Sequence, residues 1–163
     1  MHESVTFSGD RVSDYRLLEE QAASLWEPDL PLHSNLANSS ALIKQALDRT
    51  NWVGFYLWDP PSGQLLLGPF QGLVACTRIA FGKGVCGTAI RERATQRVAD
   101  VHQFPGHIAC DGASESELVV PLIRDGEILG VLDIDSPEKA RFDEVDQAGL
   151  EKVSQQIVAM WPK

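Results

Sequence analysis

A chain of 163 residues with 44% hydrophobic and 23% charged side chains has the size and composition of one soluble domain able to bury a core. Its 23 acidic against 14 basic residues give a formal net charge of −9, which speaks against nucleic-acid binding, where a basic footprint is needed. The start, Met1-His2-Glu3-Ser4, lacks a basic segment followed by an apolar run, and no apolar stretch approaches the about 20 residues of a membrane span, so a cytoplasmic protein is expected.

In chain order, the first third reads as helical. From Ser13, an expected N-cap, the apolar positions Tyr15, Leu17, Leu18, Ala22, Leu25 and Trp26 recur near helical spacing. Pro28 and Pro31 then break the chain. A second helix is expected over residues 32–47, with Leu36, Ile43 and Leu47 on its buried stripe. After Asn51 the period changes. The aromatic and β-branched run Trp52-Val53-Gly54-Phe55-Tyr56-Leu57-Trp58 predicts a strand, Asp59-Pro60-Pro61-Ser62-Gly63 a turn, and residues 64–69 the returning strand. A short strand over 74–79 would carry Cys76. The glycines at 82, 84 and 87 lead into a short helix over 88–93, with Cys86 at its entrance, and 98–101 reads as another short strand.

Residues 103–116 are polar and Gly-containing with little periodicity, a long loop of the kind that tends to carry function. Asp125-Gly126, between strands expected over 117–123 and 127–134, is the strongest hairpin signal in the chain. A last helix is expected over 143–160, with Val145, Leu150, Val153, Ile157 and Met160 inward. Helices at about 12–48, sheet and loops at about 51–136 and a helix at about 143–160 make a single α+β domain, a central antiparallel sheet flanked by helices.

Three groups of residues carry chemistry. The three cysteines, Cys76, Cys86 and Cys110, are an odd number, so they do not form a fully paired disulfide framework within one chain. Cytosolic thiols are moreover kept reduced. Cys76 and Cys86 also read as small apolar packing residues. Cys110 sits among His107, Asp111, Gly112 and Ser114, polar surroundings that suit a reactive thiol. Zinc is not expected, because no close pair such as C-x₂-C is present, and a Cys110–His107 hydrolase dyad has no local signature to support it.

Asp133 and Asp135 are two apart on a strand and leave the same face. Either that face is solvent, or the two form a carboxylate cluster with Glu117 in which one pKa is pushed up and a neutral acid is left to donate a proton. Register decides. With a regular two-residue loop, Arg124 pairs with Glu127 and Glu117 falls opposite Ile134, pointing away from both aspartates. Convergence needs an irregular hairpin, and Pro121 and Gly130 are residues that mark one.

The stretches Leu67-Gly68-Pro69-Phe70-Gln71-Gly72, Ala75-Cys76-Thr77-Arg78-Ile79, Gly84-Val85-Cys86-Gly87-Thr88-Ala89, Val98-Ala99-Asp100-Val101, Phe104-Pro105-Gly106-His107-Ile108-Ala109-Cys110-Asp111 and Gly130-Val131-Leu132-Asp133-Ile134-Asp135-Ser136-Pro137 together resemble the free methionine-(R)-sulfoxide reductases, stand-alone GAF domains. The likeness runs from about residue 51 to about 150 and includes all three cysteines in order. Gly112, where a serine is expected, and Leu73 depart from the pattern.

The resemblance implies that Cys110 attacks the sulfur of free methionine-(R)-sulfoxide and becomes a sulfenic acid. Cys76 resolves it as a disulfide, with Cys86 supporting or substituting, and thioredoxin restores the thiols. It also implies that Glu117, Asp133 and Asp135 protonate the sulfoxide oxygen and hold the substrate's ammonium group, that Trp52 and Tyr56 wall the methyl-sulfinyl end, that no cofactor is required, and that the protein is a homodimer. The alternatives are a non-enzymatic GAF sensor binding a small molecule and a structural zinc or interaction module.

Overall fold

A computed structural model describes residues 6–108 and 112–163. Helices α1 (Arg11–Leu25) and α2 (Leu32–Ala46) are followed by the antiparallel strands β1 (Trp52–Asp59) and β2 (Gln64–Gln71). Then come β3 (Arg78–Ala80), α3 (Gly84–Glu92), β4 (Gln96–Val98), a 3₁₀ turn (Val101–Gln103), the hairpin β5 (Ser116–Arg124) and β6 (Glu127–Ser136), and α4 (Glu144–Met160). The strands form one six-stranded sheet in the order β3-β2-β1-β6-β5-β4, antiparallel throughout. This is the α+β arrangement the sequence predicts.

The pleat splits the apolar residues between two faces. Val53 and Phe55 of β1, Leu118, Val120 and Leu122 of β5 and Leu132 and Ile134 of β6 point one way, and pack with Leu18, Leu36, Ile43, Leu150, Val153 and Ile157 of α1, α2 and α4. The opposite face packs Trp52, Tyr56, Leu65, Val119 and Val131 against Ile79 of β3 and Val85, Cys86, Ala89 and Ile90 of α3. Three long helices therefore cover one face and a single short helix the other, and the second face carries the buried carboxyl groups of Glu117, Asp133 and Asp135. No helix among the described residues is long and apolar enough to cross a membrane.

Several boundaries differ from the sequence reading. Helix α1 begins at Arg11 after Asp10, so Ser13 lies inside the helix, where its hydroxyl donates to Asp10. Val145 is 36% exposed rather than inward. The inward stripe of α4 starts instead at buried Asp146, which accepts from the Tyr15 hydroxyl at 2.6 Å and pairs with Arg141. Asp143, expected as the first helical residue, is the N-cap and closes a capping box with Asp146.

The short strand expected over 74–79 is β3, reduced to Arg78–Ala80, and Cys76 lies before it in the connection from β2. The helix expected over 88–93 begins at Gly84, with Cys86 inside its first turn, because Gly87 has no side chain and lets that turn press onto the end of β3. A Cβ at Gly87 would lie 2.5 Å from the Ala80 carbonyl oxygen. The strand expected over 98–101 divides into β4 and the 3₁₀ turn, which Asp100 caps by accepting from the His102 amide.

Candidate active site

The irregular hairpin that convergence requires is present. Arg124 pairs with Glu127 and Ile123 with Ile128, but Leu122 pairs with Gly130, so Leu129 is an extra residue in β6. Beyond this bulge Glu117 lies opposite Asp135 and Val119 opposite Asp133, and cross-strand partners share a face. Gly130 makes room for the bulge, since a Cβ there would sit 2.2 Å from the Tyr56 carbonyl oxygen on β1.

On the other side of β6, Trp52 pairs with Asp135 and Gly54 with Asp133. The Trp52 ring lies across Gly54, where a Cβ would come within 2.8 Å of it. Its centroid stacks 5.7 Å from Tyr56 and 5.1 Å from Phe70. Both aromatic residues also hold the connection between β2 and β3. Trp52 Nε1 donates to the Leu73 carbonyl at 3.2 Å, and the Tyr56 hydroxyl donates to the Cys76 carbonyl at 3.1 Å. This anchoring of the Cys76 segment is a role that a strand-core reading of the two side chains does not suggest.

One cavity gathers most of the predicted residues. Trp52, Tyr56, Cys86, Glu117, Asp133 and Asp135 all line it. Glu117, Asp133 and Asp135 are 7%, 5% and 8% exposed, so the aspartate face is interior rather than solvent. Cys86 is a buried free thiol. Cys76 is half-buried and disulfide-bonded, and Cys110 lies outside the described residues. The cavity is also lined by Lys83, His107, Ile108 and Ser114. Of these, Lys83 had no part in the sequence reading; the only hint was a lone cation between Gly82 and Gly84. The Ile108 side chain packs over Gly84 at the start of α3. Ser114, on the same cavity wall, accepts from Asn51 Nδ2 at 3.1 Å.

The electrostatics follow from burying acids beside acids. Burial, then the neighbouring Asp133 and Asp135, pushes Glu117 well above the ordinary carboxylate range. Burial raises Asp133 as well, while hydrogen bonds from Glu117 and the Cys86 thiol hold it down. Glu117 is therefore the group that keeps its proton and Asp133 the one that accepts. Asp133 Oδ1 remains buried without a hydrogen-bond partner among the described residues. Burial, then Asp133, Glu117 and Asp135, pushes the Cys86 thiol up. The same surroundings raise the Tyr56 hydroxyl, burial first and Asp133 second. His107 is lowered by burial and then by His102. A buried neutral acid, acceptor oxygens and an aromatic wall make a site able to donate a proton and to hold a cationic group.

The GAF domain family model matches residues 40–161. The protein YtsP of Bacillus subtilis is 52% identical over 150 residues, 92% of each chain. The free methionine-R-sulfoxide reductase of Escherichia coli is 52% identical over 124 residues, 76% of this chain and 74% of its own. A solved structure of the Neisseria meningitidis free methionine-R-sulfoxide reductase in complex with its substrate superposes with a TM-score of 0.93 at 44% identity, covering 98% of this chain and 95% of that one. The chain belongs to the free methionine-R-sulfoxide reductase family of GAF domains.

Proposed function

We propose that this protein reduces free methionine-(R)-sulfoxide to methionine. The observation that carries the reading is the cavity in which Glu117, Asp133 and Asp135 converge beside Trp52 and Tyr56, in a chain 52% identical to a reductase of that name. In the proposed reaction the Cys110 thiolate attacks the sulfoxide sulfur while Glu117 delivers a proton to the oxygen. Oxygen passes to the cysteine, leaving Cys110 as a sulfenic acid and releasing methionine. The Cys76 thiol then attacks the Cys110 sulfur, water leaves, and a disulfide forms. A dithiol protein, thioredoxin, reduces it by exchange, so the net electron donor is one thioredoxin dithiol per sulfoxide.

Several features support these roles. Cys76 is disulfide-bonded while Cys86 is a buried free thiol with a raised pKa, which favours Cys76 as the resolving partner and leaves Cys86 as the substitute. Ile108 and Ser114, which flank the Cys110 segment, both line the cavity, and two extended residues span at most about 7 Å. Asp133 and Asp135 are assigned to the substrate's ammonium group and Lys83 to its carboxylate, with the methyl-sulfinyl end against Trp52 and Tyr56. We place the protein in the cytoplasm as a homodimer of single GAF domains spanning residues 1–163.

The test is a coupled assay. Methionine-(R)-sulfoxide should drive NADPH oxidation through thioredoxin reductase and thioredoxin, and Cys110→Ser should abolish it. Turnover by the serine variant at the parental rate would refute the nucleophile. Peptide-bound sulfoxide, lacking the free ammonium group, should be a poor substrate; equal rates on both would remove the carboxylates' binding role.

A further inference from the structure

The proposed mechanism makes Cys86 at most a substitute resolver, yet its sulfur is fixed in the middle of the acidic cluster. The Cys86 Sγ and one carboxylate oxygen each of Glu117 and Asp133 all lie within 4.8 Å of one another. They come from three elements: the first turn of α3, the β5 strand and the β6 strand beyond its bulge. All three side chains are buried, at 4%, 7% and 5% exposure. We propose that Cys86, Glu117 and Asp133 form a binding site for a thiophilic divalent cation of the zinc class, and that an occupied site excludes the substrate.

Two features separate this from a pocket built for an ammonium group alone. An ammonium ion is satisfied by oxygen acceptors and gains nothing from a sulfur. A buried thiol between two carboxylates adds a soft donor, which selects zinc, cadmium or cobalt over calcium and magnesium. In addition, Asp133 lines the cavity and its Oδ1 is buried with no hydrogen-bond partner among the described residues, so this side chain has an acceptor in hand. A tetrahedral zinc-class ion with bonds of about 2.0–2.3 Å needs its ligands about 3.3–3.8 Å apart, which the cluster reaches with side-chain adjustments of about 1 Å. The fourth position faces the cavity, where His107 and Ser114 lie. Binding replaces the Cys86 and Glu117 protons, which leave to solvent, by one cation. The ligand set differs from the three-cysteine arrangement that the spacing argues against, because it uses one cysteine only.

The exclusion of substrate rests on the reading that the same carboxylates hold its ammonium group; the metal site itself does not. The test is titration of the fully reduced protein with cobalt(II), read by the near-ultraviolet thiolate-to-cobalt charge-transfer band. The band should appear in the parent and persist in Cys110→Ser and Cys76→Ser. It should vanish in Cys86→Ser, and Glu117→Gln should weaken cobalt binding by about a hundredfold or more, the upper end of what losing even a supporting group costs. Free methionine, added in excess, should displace the ion. No band in the parent, a band that survives Cys86→Ser, or one lost in Cys110→Ser would overturn the proposal, as would undiminished affinity in Glu117→Gln. Metal-free parent that fails to reduce the sulfoxide while still giving the Cys86-dependent band would sink the reductase reading and leave the site standing.

Discussion

Replacing Glu117 by Gln should make the protein more stable at neutral pH while removing its activity. The side chain is 7% exposed and sits with Asp133 and Asp135, so the folded protein keeps the Glu117 proton at a pH where the unfolded chain has already released it. Folding then takes up a proton, and stability falls as pH rises from the ordinary glutamate value of 4.5 up to the raised folded value. Over that window the parent should lose as much as about 1.4 kcal/mol per pH unit relative to the variant, one proton's linkage. Below it both side chains are neutral and of one shape, so the two proteins should have nearly equal stability. The glutamine amide can also donate to Asp133 Oδ1, which has no partner among the described residues.

Urea unfolding of both proteins, fully reduced, at steps from about pH 4 to about pH 8 reads the difference directly through the midpoints. The expected result is a gap that opens with pH and closes in acid. Parallel curves would refute the reasoning, since they would mean that Glu117 ionises alike in the folded and unfolded chains. If Glu117 is the proton donor, the same variant should lose about 10²–10⁴-fold in kcat/KM, the range typical of general acids. A stabler, inactive protein is the pattern expected where function holds groups in unfavourable surroundings.

Three further outcomes follow from the geometry. Gly130→Ala should destabilise the protein by about 1–3 kcal/mol or more, because its Cβ would lie 2.2 Å from the Tyr56 carbonyl oxygen and 3.2 Å from Leu57 Cα, both backbone atoms without a side chain's freedom to move; an unchanged urea midpoint would show that the bulge is not so tightly seated. Tyr56→Phe removes the hydroxyl that donates to the Cys76 carbonyl, a bond worth about 1 kcal/mol, and should slow disulfide formation after a single turnover about fivefold; an unaltered rate would show that this tether does not position Cys76. Asp143→Ala removes a capping box and the pairing with Arg11, and should cost about 1 kcal/mol at neutral pH. Arg11 holds the Asp143 carboxyl well below the usual range, so that stabilisation is present above the ordinary value and disappears as pH falls through the folded one. Unfolding at pH 7 and near pH 2 should therefore show the deficit shrinking in acid.

The fold was legible because its signals are local. Tyr15, Leu18 and Ala22 repeat at helical spacing, Trp52 to Trp58 is a β-branched and aromatic run, and Asp125-Gly126 is a turn, and each produces its element without distant help. Boundaries failed where tertiary contacts overrode the local pattern. Val145 is apolar but stands out of phase with Leu150, Val153 and Ile157; the in-phase position is Asp146, which Tyr15 and Arg141 hold inward. Cys76 has strand-like neighbours, but its carbonyl is taken by the Tyr56 hydroxyl and the ladder begins two residues later.

The site turned on one question that periodicity poses and cannot answer. A side-chain period of two means that one extra residue decides whether Glu117 joins the aspartates or faces away, and an extra residue leaves no mark in composition. Gly130 was the visible trace, and the reason it must be glycine is a contact with β1, a strand more than seventy positions earlier in the chain. That placement also explains how the protein tolerates the carboxyl groups of Glu117, Asp133 and Asp135 packed together. The face they occupy is covered by α3 alone, while the helices α1, α2 and α4 close an apolar core on the other side of the sheet. The unfavourable burial of this cluster is thereby kept to one layer, where a shared proton and a bound cation can relieve it, while the buried carboxylate on the helix side, Asp146, is paired with Arg141 and Tyr15.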